Sequence, residues 1–235
     1  MFARTEVLTF FPTPIWTYDL PEDQHQALDR RLLAAVDGLV RSRPGLEWGE
    51  CWQTTQDLHN RTEFSELTAC IAAAARQALD VLDVAYDTFE ITACWANVAA
   101  PGSWHRPHRH PNNFLSGVYY AKTQAGADEI HFHEPRPQAN MIAPRPKHEN
   151  AYNADKVILD AVAGRLIIFP AWLSHSVPPN ASNEERVSFS FNVMLVSLER
   201  DLSDPRWQGN VISDVKTGTS RPVSSQGMDY RGRRS

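Results

Sequence analysis

Histidines are concentrated in one short part of this chain. Five of the nine, His105, His108, His110, His131 and His133, fall within 29 residues. In extended backbone, residues i and i+2 project from the same face, so His108 and His110 can offer two imidazoles to one metal ion. Neutral imidazole is a common ligand of iron, zinc and copper. A His-x-His pair alone is a weak indication of a metal site.

A third histidine strengthens this indication. The apolar run at residues 165–169 is stopped by Pro170, and His175 follows after the turn. A small β-barrel would bring such a residue to its mouth, beside ligands from a distant strand. We therefore predict that His108, His110 and His175 bind one metal ion. Three ligands leave roughly half of an octahedral iron free for a co-substrate and oxygen.

An arginine and a serine follow at strand spacing. Arg186 lies eleven residues after His175, and Ser188 shares its predicted strand face. A guanidinium can direct two donors at one carboxylate. This pair is predicted to bind the distal carboxylate of a keto-diacid that chelates the metal.

The elements that must position these residues change in kind along the chain. Helical spacing of apolar residues predicts one helix from residue 21 and a second over residues 65–82. From residue 89 onward, short β-branched and aromatic runs separated by Gly, Pro and Asn favour a sandwich, barrel or jelly roll. We predict one domain over 1–202, with helical and extended support at 1–88 and a β core at 89–202. Residues 203–235 are predicted to be a polar C-terminal tail.

Composition excludes several classes of protein. The 235 residues carry a net charge of −5, which argues against a nucleic-acid-coating protein. No apolar run approaches a membrane span, and the N-terminus lacks the pattern of a signal peptide. Three cysteines without CxxC spacing favour a reducing, cytoplasmic location. We expect a small-molecule substrate and no nucleic-acid or membrane partner, while a monomer and a homodimer are both compatible with the sequence.

Several motifs in fixed order resemble a known family. The segments are WANVAAPGSWHRPHRHPNNFLSGVYY, FHEPRP, GRLIIFPAWLSHSVPPN and RVSFSFNV, spread over about residues 89–196. They resemble a bacterial family of 2-oxoglutarate/Fe(II)-dependent oxygenases. The resemblance implies a mainly β, double-stranded β-helix (a cupin-like jelly roll) packed by the two N-terminal helices. It further implies the use of Fe(II), 2-oxoglutarate and O2. We therefore expect an oxidoreductase, a dioxygenase that hydroxylates a small polar metabolite while 2-oxoglutarate becomes succinate.

One position departs from the pattern of the wider oxygenase superfamily. Those enzymes use His-x-Asp/Glu and a distant His, whereas His110 fills the acidic position here. Either the metal has a three-His shell, or one of these histidines lies outside it. A cupin-type three-His dioxygenase or isomerase without 2-oxoglutarate is the first alternative. A non-catalytic metal- or ligand-binding β-barrel is the second.

Further polar residues are candidates for the same pocket. Tyr119 and Tyr120 alternate on one strand, so one ring can enter the barrel and bond a carboxylate while the other packs outside. Asn97 and Asn192 lie in apolar strands, where an interior amide needs a partner. Tyr119, Asn97 and Asn192 are therefore predicted to contact 2-oxoglutarate. The candidates for contact with the substrate are His105, Tyr120, His133, Arg136 and Trp172.

Overall fold

The computed structural model describes residues 2–8, 11–40, 45–196, 211–214 and 219–222. The chain divides into two compact units, Met1–Val196 and Ser197–Ser235. In the second unit, strands Val211–Asp214 and Thr219–Pro222 pair antiparallel. The rest of the predicted tail, 203–235, lies outside the described residues, and the boundary at 202 stays a prediction.

Two long helices precede the β-rich region, as the apolar spacing predicts. Helix α1 spans Glu22–Val40 and α2 spans Ser65–Leu82. Glu22 and Asp23 in the first turn of α1 complement its helix dipole. Helix α2 buries Leu67, Ile71 and Leu79 along one side. No helix in the described part of the chain is long and apolar enough to cross a bilayer.

Ten strands of the first unit form two antiparallel sheets. The strands are β1 Trp16–Asp19, β2 Cys51–Gln53, β3 Thr88–Ala99, β4 His105–His108, β5 Leu115–Lys122, β6 Glu129–His133, β7 Lys156–Asp160, β8 Arg165–Pro170, β9 His175–Val177 and β10 Arg186–Val196. The large sheet has the order β1-β8-β5-β10-β3-β2, and the small sheet has the order β4-β9-β6-β7. The prediction of a mainly β architecture with two N-terminal helices is confirmed.

The two sheets pack face to face around an aromatic and aliphatic core. Val118, Tyr120 and Phe169 from the large sheet meet Ile130 and Phe132 from the small sheet. The Phe132 and Phe169 rings pack edge to face with centroids 5.0 Å apart. This core fixes the spacing of the sheets, and thus the position of any residue that projects between them.

The outer face of the large sheet supports the helices. Phe189 on β10 packs against Phe64, just before α2, with ring centroids 5.9 Å apart. Phe191 covers Gly117 so closely that a Cβ added there would lie 2.3 Å from the Phe191 ring. Because side chains alternate along a strand, residues an odd number of positions from Phe189 point the other way, toward the small sheet. On β10 those residues are Arg186, Ser188 and Ser190.

The register aligns these inward residues in rows across the large sheet. Arg186 pairs with Ala99, Ser188 pairs with Asn97, and Ser190 pairs with Trp95. Gln53 on the edge strand β2 extends the second row by pairing with Asn97. Tyr120 on β5 completes that row opposite Ser188. The inner face of the large sheet therefore carries polar side chains near one end.

Candidate metal centre

Three imidazoles meet at the edge of the small sheet. His108 at the end of β4 pairs in the ladder with His175 at the start of β9. His110 follows two residues after β4, and its backbone N–H donates to the Ala171 carbonyl at 3.0 Å. One ring nitrogen of each histidine lies within 4.8 Å of the others. The predicted metal ligands are thus brought together from two distant parts of the chain.

Backbone acceptors determine which nitrogen of two rings is free. His108 Nδ1 lies 2.8 Å from the Arg106 carbonyl oxygen, and His175 Nδ1 lies 3.0 Å from the Leu173 carbonyl oxygen. A carbonyl only accepts, so each Nδ1 carries the proton and each Nε2 keeps its lone pair. His175 Nε2 lies 3.4 Å from Nε2 of His110. Such a backbone bond on the far nitrogen is typical of metal-binding histidines.

Burial keeps His110 and His175 uncharged at neutral pH. Loss of solvation lowers the pKa of His175 to about 3, against a raising effect of the Leu173 carbonyl. Burial, with a smaller effect of His108, lowers the pKa of His110 to about 4. Metal binding requires the neutral imidazole, so no proton has to be displaced from these two rings. The donor set suits a divalent transition metal.

The three histidines lie on the wall of a cavity between the sheets. The cavity has a volume of about 60 Å³ and is lined by side chains from both sheets. Five of the predicted pocket residues line it: Asn97, His105, Tyr120, Arg186 and Ser188. Four of them lie at inward positions of strands in the large sheet, and His105 lies on β4.

Arg186 gives the cavity a buried cationic end. Its side chain is only 3% exposed, and no acidic side chain among the described residues pairs with it. Arg186 Nη1 and the Tyr120 hydroxyl are both buried without a hydrogen-bond partner. Burial lowers the pKa of the guanidinium and raises the pKa of the phenol. Unpaired buried donors are costly, so this end of the cavity suits a carboxylate that would accept from both.

The prediction for Tyr119 is wrong. Its side chain leaves the opposite face of β5, and its hydroxyl donates to Asp29 Oδ1 on α1 at 2.6 Å. His25 Nδ1 lies 3.0 Å from the other oxygen of Asp29. Tyr119 therefore attaches α1 to the sheet, and its neighbour Tyr120 is the ring that faces the cavity.

Four other predicted contacts lie elsewhere. Asn192 faces inward but accepts from Ser116 Oγ at 2.8 Å and does not line the cavity, because it sits beyond Ser190 along β10. Trp172 is 54% exposed and lies outside the cavity. His133 and Arg136 line a second cavity of about 420 Å³, beside the segment 134–156. There His133 bonds Ser176 Oγ at 2.8 Å, and Arg136 donates twice to Glu134.

Three lining residues with hydrogen-bonding side chains are absent from the predicted set: Gln53, Trp95 and Ser190. Trp95 and Ser190 lie two positions from Asn97 and Ser188, so the period of two would have found them. Gln53 carries no such signal, because the three-residue strand β2 has no detectable periodicity. Its place in the cavity follows from pairing with β3 alone.

Comparison with known proteins supports the resemblance drawn from the motifs. The sequence model of the family described as "Putative 2OG-Fe(II) oxygenase" matches residues 93–192. That range includes His108, His110, His175 and Arg186, and the resemblance is confirmed over it. A comparison with curated proteins finds no match.

Several solved structures share the fold at low sequence identity. A Pseudomonas putida prolyl-4-hydroxylase is 16% identical with a TM-score of 0.55, covering 78% of this chain and 93% of its own. The epimerase SnoN from nogalamycin biosynthesis is 16% identical with a TM-score of 0.56, covering 84% and 89%. HygX from Streptomyces hygroscopicus, with nickel and 2-oxoglutarate bound, is 12% identical with a TM-score of 0.54, covering 79% and 84%. The two facing sheets thus form a double-stranded β-helix, as predicted.

Proposed function

We propose that this protein, whose residues 93–192 match the 2OG-Fe(II) oxygenase family, is an Fe(II)- and 2-oxoglutarate-dependent dioxygenase that hydroxylates a small polar substrate. One observation carries the proposal: the cavity that holds three converging imidazoles also holds a buried guanidinium with no acidic partner among the described residues. A metal-binding cluster alone would fit many activities. Its combination with a buried carboxylate-binding end fits a chelating keto-diacid.

The residues divide into two groups by role. His108, His110 and His175 would hold the iron through neutral ring nitrogens. Arg186, Ser188 and Tyr120 would hold the far carboxylate of 2-oxoglutarate, with the guanidinium supplying the charge and the two hydroxyls supplying further donors. When bound, iron(II) and 2-oxoglutarate supply the oxidising chemistry: one oxygen atom of O2 enters succinate as CO2 leaves, and the other enters the substrate.

The protein itself would orient the co-substrate and shield it from bulk water. Of the proposed metal ligands, His108 and His175 lie on the small sheet and His110 follows β4, whereas Arg186 and Ser188 lie on the large sheet. A co-substrate that contacts both sheets is held at its two ends and oriented by the protein. Because Arg186 and His175 are almost fully buried, their interactions are little weakened by bulk water.

Related folds with similar ligands support the proposal. The HygX structure contains nickel and 2-oxoglutarate, and a structure of SnoN contains Fe3+ and alpha ketoglutarate. SnoN is an epimerase, so this fold serves reactions other than hydroxylation. Hydroxylation is therefore a separate part of the proposal, and identification of the reaction product tests it.

The all-imidazole cluster favours one second candidate, a cupin-type three-His dioxygenase or isomerase that does not use 2-oxoglutarate. His110 in place of a carboxylate is the observation behind it. In that case Arg186 would bind the substrate of the enzyme directly. The two candidates differ in whether 2-oxoglutarate chelates the metal.

Anaerobic titration of the Fe(II)-loaded protein with 2-oxoglutarate distinguishes them. Chelation by the oxo acid is expected to produce a visible charge-transfer band that saturates at one equivalent per iron. Admission of O2 should then release succinate. Iron binding without the band would refute the use of 2-oxoglutarate and favour the cupin-type candidate. His175→Ala, which lacks one proposed ligand, is the control for iron bound elsewhere.

A further inference from the structure

A line of uncharged polar side chains crosses the large sheet beside the carboxylate-binding end. Gln53 Nε2 donates to Asn97 Oδ1 at 2.7 Å, and Asn97 Nδ2 donates to Ser190 Oγ at 3.0 Å. We call Gln53, Asn97 and Ser190 the amide line. It runs from the exposed edge strand β2 to the interior strand β10, and all three residues line the cavity. These mutual bonds fix which way each amide points.

Several donors and one acceptor of the amide line are not used in hydrogen bonds within the line. A primary amide has two N–H donors, and a hydroxyl that accepts one bond still has its own proton to donate. Asn97 and Gln53 each use one N–H within the line, so each keeps a second, and Gln53 also keeps its carbonyl oxygen. Ser190 keeps its O–H. The line therefore presents neutral donors and one neutral acceptor at fixed positions.

The charge of the cavity restricts what these groups can bind. Among the described residues that line it, Arg186 carries the only permanent charge, and no carboxylate is present. A cationic substrate would meet Arg186 and the metal ion without any compensating acid. An anionic substrate would find the guanidinium already used by 2-oxoglutarate. A neutral polar substrate brings in no further charge that would need a buried partner.

Trp95 supplies the apolar side of the same space. Its side chain is 8% exposed, and its position pairs with Ser190 on the neighbouring strand. The Trp95 ring lies 6.1 Å from the His110 ring, measured between centroids. A substrate packed on this ring would therefore place its C–H bonds next to the metal ligands while its polar groups meet the amide line.

We infer that the substrate is a neutral, hydroxyl-bearing compound that packs a C–H face on Trp95 and hydrogen-bonds to Gln53, Asn97 and Ser190. The inference rests on the proposed function, because it assigns Arg186 to 2-oxoglutarate. In this arrangement the uncharged amide line binds and orients the substrate and favours neutral compounds over charged ones. Small cyclic or linear polyols, including single sugar rings, have this combination of hydroxyl groups and C–H faces.

The test uses the intact protein loaded with Mn(II) and saturated with N-oxalylglycine, an unreactive analogue of 2-oxoglutarate. Binding of three matched sets of ring compounds is measured by ligand-observed NMR: neutral polyols and methyl glycosides, the corresponding amino sugars, and the corresponding uronic acids. Members of the neutral set are expected to bind. The charged counterparts of those members should bind at least roughly tenfold more weakly, since each leaves a charge without a partner.

The variant that tests the assignment is Gln53→Ala. Gln53 is exposed on an edge strand, so its removal should leave the core intact. Binding of the neutral compounds should weaken by roughly tenfold, while Mn(II) and N-oxalylglycine affinities stay within about twofold. Gln26→Ala, at an exposed position of α1, is the matched control and should bind like the wild type.

The outcomes separate this inference from the proposed function. Tighter binding of the amino sugars or uronic acids, binding by none of the three sets, or unchanged binding in Gln53→Ala would overturn the neutral-substrate assignment alone. Failure of the Mn(II)-loaded wild type to bind N-oxalylglycine would instead overturn the proposed function. The readout is binding, so neither conclusion depends on turnover.

Discussion

Replacement of Arg186 should have opposite effects on co-substrate binding and on the stability of the ligand-free protein. The guanidinium is buried at 3% exposure, has Nη1 without a partner, and faces the Tyr120 hydroxyl, which also lacks one. In the ligand-free protein it is a buried charge without an acidic partner among the described residues. With 2-oxoglutarate bound, it would acquire a carboxylate.

The size of the binding effect follows from this environment. Loss of one member of a buried, charge-assisted pair costs about 2–5 kcal/mol, part of which is the charge left without its partner. At about 1.4 kcal/mol per factor of ten, Arg186→Ala should raise the dissociation constant of 2-oxoglutarate by roughly 30-fold or more. Arg186→Lys should recover part of that loss, because an ammonium cannot reproduce the two-donor geometry.

The effect on stability should have the other sign. Arg186→Met keeps an unbranched apolar side chain and removes the buried charge. Replacement of buried charged groups by apolar ones of similar volume is often neutral or stabilising. The ligand-free variant should therefore melt at or above the temperature of the wild type, while losing the upward shift of Tm that saturating N-oxalylglycine gives the wild type.

Isothermal titration of N-oxalylglycine into the Mn(II)-loaded variants measures the first effect, and thermal melts with and without the analogue measure the second. Arg165→Ala is the matched control, because Arg165 pairs with Asp19 on the outer strands and does not line the cavity. Equal affinities for the wild type and Arg186→Ala would refute the role of Arg186 as the carboxylate clamp. A large drop in ligand-free Tm for Arg186→Met would show that the guanidinium has a structural partner instead.

Four further predictions concern the metal ligands and the attachment of α1. His175→Ala should abolish iron retention while the circular dichroism spectrum is preserved, and stoichiometric iron with unchanged affinity would show the ligand assignment to be wrong. His110→Asp restores the His-x-Asp pattern and should still bind iron with an altered visible spectrum; an unchanged spectrum and turnover would mean that His110 does not bind the metal. Tyr119→Phe removes the donor to Asp29 and should lower the free energy of unfolding by about 1–3 kcal/mol in urea melts. Burial raises the pKa of Asp29 above its ordinary value of 3.8, so the wild type loses stability as pH rises from that value through the native pKa. Asp29→Asn does not titrate, so its stability relative to the wild type should increase with pH over this range in urea melts, and a relative stability that decreases with pH would contradict this reasoning.

The local chemistry of the site could be predicted from the sequence. Arg186 and Ser188 lie two positions apart on β10, so the alternation of a β-strand places them on one face whatever the rest of the fold does. His108 and His110 have the same spacing, which predicts their approach, although β4 ends at His108 and His110 lies just beyond it. The apolar residues around Asn97 predict it as an interior amide that needs a partner. These predictions needed only the period of an extended backbone and the chemistry of imidazole and guanidinium.

Contacts between different helices and strands could not be predicted from the alternation along one strand. Alternation requires Tyr119 and Tyr120 to face opposite sides, but it does not say which side α1 covers. That choice is made by Asp29, ninety positions from Tyr119, whose buried carboxylate accepts from the Tyr119 hydroxyl. The position of Asn192 likewise depends on where the cavity ends along β10, which the opposite sheet decides.

The same limit applies to the position of Gln53 and to the distances between the three histidines. A three-residue strand has no periodicity, so only its pairing with β3 brings Gln53 to Asn97. Sequence could propose His175 as the third ligand, but the distance to His108 and His110 is set by the β4–β9 pairing and by the core between the sheets. The sequence alone determined which side chains could do the chemistry and which neighbours share a strand face. The tertiary structure decided which faces meet, because that depends on packing between residues far apart in the chain.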